Sequence, residues 1–156
     1  MDICLDVTGG KFNYRVGAII LHDDRLLLAK NSGDTFYYTI GGRVKFGEPA
    51  QEAALREALE ETGLPLEIER LTCIHENFFA FQPENIPCHE ICMFFVMKPD
   101  EKLTDMNLTF EESYGNVSMH WIPVDKLDEY EIYPKFISML TGKNEDVQHI
   151  VTRDQS

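Results

Sequence analysis

The segment from Pro49 to Thr62 constrains the fold most, because it is a long stretch with no interior helix breaker. Its Ala, Leu, Glu, Gln and Arg residues are strong helix formers. Proline suits the first helical position, and Gly63 followed by Leu64 and Pro65 is a typical stop signal. The segment therefore predicts a helix of about four turns.

Strand-like segments lie on both sides of this helix. They are rich in β-branched, aromatic and leucine residues and are bounded by polar turns, at 15–21, 26–30, 35–40, 66–82, 88–98 and 117–122. Short helices are expected at 124–130 and 134–140, followed by a polar tail over 141–156 that frays. This order predicts one α/β domain over 1–156, with its core at about 14–140 and helices packed on a mixed sheet.

The charge balance limits the class of partner. With 14 basic and 27 acidic residues, the net charge is −13. Sequence-independent binding to nucleic acid or to an anionic membrane needs a basic surface, so neither is expected. An anionic small molecule remains compatible with the charge, because a bound divalent cation inverts the local field.

The remaining sequence-wide signals indicate a reducing compartment. The sequence contains four cysteines, Cys4, Cys73, Cys88 and Cys92. They are too few and too scattered for a disulfide scaffold. No secretory signal and no apolar run of membrane-spanning length is visible. We expect a cytoplasmic protein with reduced thiols, and the sequence leaves open whether it is a monomer or a homodimer.

The predicted helix has an apolar side. At 100° per residue, Ala58 and Leu59 fall on either side of Leu55. These three residues form a stripe that we expect to face the sheet.

Three carboxylates, Glu57, Glu60 and Glu61, are expected on the other side of the helix. Glu57 and Glu61 repel each other as an i,i+4 pair, and all three lie near the helix C-terminus, where the dipole disfavours anions. A solvated acidic surface is one interpretation. A metal site is the other, and carboxylate oxygens favour Mg²⁺ or Mn²⁺ over zinc.

The spacing of the residues around these carboxylates favours the metal site. Gly42 is followed after five residues by Glu48 and after seven more by the segment from Arg56 to Leu64, which reads REALEETGL. This arrangement resembles the Nudix box, G-x5-E-x7-R-E-U-x-E-E-x-G-U, in all seven fixed letters. Ala58 is a small residue at the first U position, and Ile40 stands where many family members carry proline.

The resemblance implies a fold and an activity. The fold would be the Nudix α/β/α sandwich, with a mixed sheet and the box as loop, helix and loop. The activity would be Mg²⁺- or Mn²⁺-dependent hydrolysis of a small-molecule nucleoside diphosphate linked to a moiety X, with nucleotide sugars or ADP-ribose favoured. The alternatives are a sanitising nucleoside triphosphate pyrophosphohydrolase of the MutT type and a non-catalytic nucleotide-sensing domain.

The resemblance also implies the metal site. Glu57 and Glu61 would be metal ligands, and Glu60 a third ligand or the base that activates water. The backbone carbonyl of Gly42 would be a further ligand.

Several other residues keep two interpretations. Glu111 and Glu112 are alternative sources of the catalytic base or surface acids, and Glu111 is also a candidate substrate contact. Arg43 is a candidate phosphate contact or an exposed arginine. Phe78 is a candidate for base stacking or a core residue.

Arg56 and Glu48 have both a structural and a functional interpretation. The guanidinium of Arg56 either holds box carboxylates, such as Glu60 or Glu52, or contacts phosphate directly. Glu48 either orients the loop before the helix or joins the metal shell.

Overall fold

The computed structural model describes residues 1–103, 109–112 and 115–154, with side chains for all of these except 109–112 and 115. The elements in chain order are β1 (Cys4–Val7), β2 (Gly10–Ile19), β3 (Leu21–His22), β4 (Arg25–Asn31), β5 (Tyr37–Arg43), α1 (Ala50–Thr62), β6 (Ile68–Phe81), β7 (Ile86–Met97), β8 (Thr109–Glu112), β9 (Gly115–Pro123), β10 (Ile132–Tyr133) and β11 (Gln148–Arg153). Short 3₁₀ helices occupy Glu101–Leu103, Val124–Glu129 and Ile137–Leu140. None of the described helices has the length and apolarity that crossing a membrane requires.

The strands form a mixed sheet, as the sequence predicts. The main path runs β11-β6-β7-β2-β5-β4-β9-β8, with β1, β3 and β10 pairing at its sides. The pairs β2–β7, β6–β11 and β5–β10 are parallel, and the other strand pairs that the structure describes are antiparallel. The predicted α/β fold class is therefore confirmed.

The two faces of the sheet carry separate hydrophobic cores. Helix α1 covers one face, where Val16, Ile40 and Phe95 are buried. The other face packs against the 3₁₀ helices Val124–Glu129 and Ile137–Leu140, around the residues Ile19, Leu28, Cys73, Cys92 and Phe94. Both 3₁₀ segments occupy positions where the sequence predicts short helices.

Helix α1 begins and ends close to the predicted positions. Pro49 is the N-cap, one residue before the position expected for it. Gly63 ends the helix in the left-handed conformation, with φ of 74°, and its N–H donates to the carbonyl of Leu59 over 2.8 Å. This is the C-terminal geometry that glycine favours.

The expected orientation of α1 is only partly correct, because Ala58 is buried and Leu55 packs against the core, but Leu59 does not. The buried helix residues are Ala50, Ala53, Ala54, Ala58 and Thr62, whereas Leu59 is 46% exposed. A run of alanines brings the helix backbone close to the sheet, and this close packing outweighs the larger apolar area of the leucine. The helix is therefore rotated toward the side that carries Glu57 and Glu61.

The C-terminal segment also differs from expectation. Residues Gln148–Arg153 form strand β11, paired in parallel with β6, where the sequence predicts a frayed polar tail. Its side chains alternate between half-buried and exposed. Such an edge strand, with polar residues on one side, has only a weak signal in the sequence.

Candidate active site

The box carboxylates divide into shielded and exposed groups. The Glu57 side chain is 15% exposed, Glu61 is half-buried, and Glu60 is 55% exposed. Helical periodicity predicts that the three carboxylates lie together on the side of the helix away from the sheet. In the structure they do not share one solvated side. Glu57 and Glu61 lie on the side that faces the sheet, and Glu60 lies toward solvent.

Gly42 makes room for the Glu57 carboxyl group. It lies within strand β5, opposite Val16 of β2. A Cβ atom built on Gly42 would overlap the Glu57 carboxyl group, so a side chain at this position would displace that group. The strand continues through Gly42 to Arg43, three residues beyond the end that the sequence predicts. Glycine at this point lets the carboxylate reach the backbone of β5.

Arg56 joins the helix to the preceding loop. Its Nε and Nη2 donate to the two oxygens of Glu48 over 2.8 and 3.0 Å, and its Nη1 donates to Glu57 Oε1 over 2.7 Å. Nη2 also donates to the carbonyl of Arg43 over 3.0 Å, and Nη1 lies 3.5 Å from Glu60. These contacts correspond to the structural role considered for Arg56, with Glu48 as its main partner.

The same contacts affect the pKa values of Glu48, Arg56 and Glu57. The hydrogen bond from Arg56 is the main cause that lowers the pKa of Glu48 to about 2, and that bond also raises the pKa of Arg56. Burial raises the pKa of Glu57, while the hydrogen bond from Arg56 opposes this effect. Glu48 also accepts the backbone N–H of Lys45 over 3.1 Å, so its carboxylate orients the loop.

Arg43 lies in a polar row that crosses the sheet. Its Nε donates to Asn13 Oδ1 over 3.1 Å, and Asn13 Nδ2 donates to Glu90 Oε2 over 2.7 Å. Asn13 is buried. In this structure the guanidinium of Arg43 has a protein partner, and its carbonyl accepts from Arg56.

A pocket of about 750 Å³ lies on the sheet face opposite α1 and reaches Gly41, the residue before the box. The pocket is formed by β2, β5, β6, β7, β11 and the segment after β10, and its walls include Gly41, Phe79, Phe94, Tyr133 and Phe136. Its charged residues are Arg15, Lys135 and Arg153 with Glu90 and Asp154. The positive charges of Arg15 and Lys135 at this pocket, in a protein of net charge −13, suit an anionic ligand.

Phe78 does not line this pocket. It lies on the opposite side of β6 from Asn77 and Phe79, against the ring of His89 at 4.3 Å, and the Arg153 guanidinium lies 4.4 Å from its centroid. It borders a smaller pocket of about 420 Å³ instead. Phe79 is the aromatic residue of this segment that borders the larger one.

The two later acids, Glu111 and Glu112, lie on strand β8. Their side chains fall outside the described part of the structure. They therefore stay open as alternative bases.

Several pocket residues are not predicted from the sequence. Arg15, His75, Asn77 and Thr152 come from three strands that are distant in the sequence. The only local signal is the alternation of His75, Asn77 and Phe79 on one side of a strand. No motif relates β6 to β11, because their contact is created by the sheet.

The donor set suits a divalent cation. Across the described ranges, no three His, Cys, Asp or Glu side chains are gathered around one point. Glu57 nevertheless lies against the backbone of Gly42, and Glu61 lies one helical turn further along. Carboxylate and carbonyl oxygens are the ligands that Mg²⁺ and Mn²⁺ prefer, so the residues fit such an ion.

Comparison with known proteins decides the family. Residues 11–140 match the family described as NUDIX domain, which is most of the chain. The chain belongs to the Nudix family. This match confirms the prediction that the protein is a Nudix pyrophosphohydrolase. Nudix hydrolases generally use a divalent metal ion and act on small nucleotide diphosphates.

Solved Nudix structures show the same fold at low sequence identity. The MutT protein from Bacillus halodurans is 14% identical to this chain with a TM-score of 0.66, and the alignment covers 90% of this chain and 89% of the MutT chain. An ADP-ribose pyrophosphatase from Streptococcus suis 89-1591 is 15% identical with a TM-score of 0.58, covering 90% and 98%. A UDP-X diphosphatase is 19% identical with a TM-score of 0.58, covering 88% and 66%.

Proposed function

We propose that this Nudix hydrolase cleaves, with Mg²⁺, the pyrophosphate bond of a nucleoside diphosphate linked to X. The products are a nucleoside monophosphate and X-phosphate. One observation carries the proposal: the complete box folds with the Glu57 carboxyl group against Gly42, and the preceding residue, Gly41, lines a pocket of about 750 Å³ that is large enough for a nucleotide.

The metal would be held by Glu57, Glu61 and the carbonyl of Gly42, with Glu60 as a further ligand or as the base. When bound, Mg²⁺ neutralises pyrophosphate oxygens and lowers the pKa of a coordinated water. Arg56 supports this site by keeping Glu57 oriented through the 2.7 Å hydrogen bond and by holding the loop through Glu48.

Glu60 is the candidate for the proton-accepting group. Its carboxylate is more exposed than that of Glu57, so it is accessible to water near the box. The alternative bases are Glu111 and Glu112 on β8. In each case the carboxylate takes a proton from the attacking water, and the bond between the bridging oxygen and phosphorus breaks.

The pocket supports a ligand longer than a mononucleotide. It extends across the sheet from β5, beside the box, to β11. These strands are four interstrand spacings apart, roughly 19 Å. The charge of Arg15 on β2 partly opposes the burial that raises the pKa of Glu57, and Arg15 also lines the pocket, so it is the cation that we expect to contact a phosphate near the box.

A substrate panel tests the proposed function. UDP-glucose, ADP-ribose and the nucleoside triphosphates are incubated with protein and Mg²⁺, and products are separated by chromatography. We expect a monophosphate and X-phosphate from the X-linked substrates, with orthophosphate appearing only after a phosphatase is added. Preferred turnover of triphosphates to monophosphate and pyrophosphate would instead assign the MutT-type alternative.

Two matched variants locate the activity. Glu57→Gln is expected to lose nearly all hydrolysis, whereas Glu52→Gln, an exposed carboxylate of the same helix, keeps it. Release of orthophosphate with a nucleoside diphosphate left over would contradict the assigned bond. A complete lack of Mg²⁺-dependent hydrolysis, together with tight nucleotide binding, would favour the sensing domain.

A further inference from the structure

Two segments of the chain share one edge of strand β2. The opposite edge is occupied by β7, which pairs with residues 11–19. On the shared edge, β5 pairs with residues 15–18 and β1 pairs with residues 10–13. Tyr14 lies between these two registers, so β5 cannot extend past Arg43 along β2 without displacing β1. Strand β1 therefore limits β5 and determines where the loop before α1 begins.

Three backbone hydrogen bonds close the junction of these strands. Ile3 donates its N–H to the carbonyl of Val44 over 2.8 Å, Val44 donates to Tyr14 over 3.0 Å, and Tyr14 donates to Ile3 over 2.9 Å. Each of the three residues is both a donor and an acceptor, so the bonds form a closed ring. The Val44 side chain is buried, and Ile3 packs against the same core. The ring holds the first residue after β5 by both its N–H and its carbonyl.

The N-terminal segment, residues 1–3, continues along the loop. Asp2 forms an antiparallel bridge with Lys45, and Phe46 donates its N–H to the carbonyl of Met1 over 2.8 Å. Residues 1–3 therefore lie beside residues 44–46 as a short added strand. The N-terminal segment holds the first half of the loop, whereas the hydrogen bonds between Glu48 and Arg56 hold its second half.

The residues next to this ring belong to the proposed metal site. Gly42, whose carbonyl is a proposed ligand, precedes Val44 by two residues. The carbonyl of Arg43 accepts from Arg56 Nη2 over 3.0 Å, and the same guanidinium orients Glu57. A displaced Val44 would therefore move both the Gly42 backbone and the arginine that orients Glu57. A shift of about 1 Å in such a site can lower the rate about 100-fold.

We propose that the N-terminal segment is a positioning element of the catalytic loop, with the backbone N–H of Ile3 as its anchoring donor. This inference rests on the proposed function, because it concerns the loop of the same site. It assigns a role in catalysis to residues that lie outside the matched range 11–140. The group that acts on the loop is the backbone of Ile3 rather than its side chain.

Two substitutions at Ile3 separate its backbone from its side chain. Ile3→Pro and Ile3→Ala both remove the isoleucine side chain, but only proline lacks the N–H that Val44 accepts. At a temperature where both variants are folded, we expect kcat of Ile3→Pro to be about 10- to 100-fold below that of Ile3→Ala. KM should be nearly equal, because the pocket lies on the opposite face of the sheet. Equal kcat values in the two variants would overturn the proposal.

A purely structural role of the N-terminal segment predicts a different result. It would lower Tm and leave the kcat of the folded protein unchanged. Under the proposal, the Mg²⁺ concentration that gives half-maximal activity also rises in Ile3→Pro, and Ile3→Val, which keeps the N–H, restores it. An Ile3→Pro variant that melts at a lower temperature but keeps the kcat and the Mg²⁺ dependence of the wild type would contradict the positioning role.

Hydrogen exchange of the wild type gives a second test, which needs no variant. Binding is reciprocal, so a ligand that the closed ring favours must stabilise the ring by the same amount. Mg²⁺ with methylenediphosphonate, a non-hydrolysable pyrophosphate analogue, should slow exchange of the Ile3 and Phe46 amides more than that of the Tyr37 amide. Tyr37 lies at the other end of β5 and donates to the carbonyl of Glu131 over 2.9 Å. Equal changes at all three amides would overturn the proposal.

The two levels of inference fail in different ways. No Mg²⁺-dependent hydrolysis of any substrate by the wild type contradicts the proposed function. Hydrolysis by the wild type that Ile3→Pro retains in full contradicts this inference alone. If Ile3→Pro does not fold, the exchange of the Ile3 and Phe46 amides in the wild type decides the question.

Discussion

The hydrogen bonds between Arg56 and Glu48 are the main link between helix α1 and the loop before it. Both oxygens of Glu48 accept from one guanidinium, in a planar geometry that lysine cannot reproduce. The same guanidinium orients Glu57. Under the proposed function, one side chain therefore couples stability to catalysis.

Glu48→Gln is expected to lower the free energy of unfolding by about 2 kcal/mol, because it weakens hydrogen bonds to a charged partner. Glu52→Gln makes the same chemical change at an exposed position of α1 and should cost about 0.5 kcal/mol or less. Urea denaturation of the two variants makes the comparison. Equal losses would mean that the Arg56 contacts contribute nothing specific.

A second residue-scale prediction concerns pH. The pKa of His75 is lowered to about 4 in the folded protein by burial, below its ordinary value of 6.5. The unfolded state therefore binds more protons between these two values, and stability falls as pH decreases through this range. We expect a loss of about 3 kcal/mol from this group between pH 7 and pH 4.

Urea denaturation across this pH range measures the effect. The difference in stability between wild type and His75→Gln should show the slope, since glutamine does not titrate. His149→Gln removes a largely exposed histidine and should keep the His75 slope. A wild type and a His75→Gln variant with parallel pH profiles would contradict the assigned burial effect.

At the scale of elements, α1 is oriented by its alanines. Ala53, Ala54 and Ala58 face the sheet and let the helix approach closely enough for Glu57 to reach Gly42. A helix with larger residues there would be displaced from β5. The small residue at the first aliphatic position of the box is thus suited to its packing environment.

Ala58→Leu is expected to destabilise the protein by about 1–3 kcal/mol through overpacking and to reduce hydrolysis by displacing Glu57. Leu59→Ala, at the next position, should change stability by about 0.5 kcal/mol or less, because the leucine is largely exposed. Thermal and urea unfolding test both variants. A cost of about 2–5 kcal/mol for Leu59→Ala would restore the orientation expected from the sequence.

At the scale of the whole molecule, the metal-free protein carries a net charge of −13 and clustered carboxylates at the end of α1. These groups repel one another, and the helix dipole adds to the penalty. A cation that binds only the folded state relieves this repulsion. Stability should therefore depend on the divalent metal.

Saturating Mg²⁺ at a hundredfold excess over Kd should stabilise by about 2.7 kcal/mol and raise Tm by about 5–10 °C. NaCl at equal ionic strength should raise Tm less, because it only screens. Glu61→Gln should melt no lower than wild type in EDTA but lose most of the Mg²⁺ response. Indifference of the wild type to Mg²⁺ in both melting and hydrolysis would remove the metal argument.

The sequence by itself determined what depends on short spacings along the chain. The limits of α1, its stop at Gly63 and the spacing of the box from Gly42 to Leu64 are all local. Local backbone preferences are enough to predict the helix. The metal site is predicted by the ligand chemistry of carboxylates only together with the resemblance of their spacing to the Nudix box.

Only the tertiary structure decided which side of α1 is buried and which residues surround the pocket. From the sequence, the most apolar side of the helix is expected to be buried. In the structure, close packing against β5 buries the alanines and leaves Leu59 partly exposed. Thr152 contacts His75 and Asn77, although these residues are 77 and 75 positions away from it in the sequence. Strand order and register create such contacts, and no spacing within one segment encodes them.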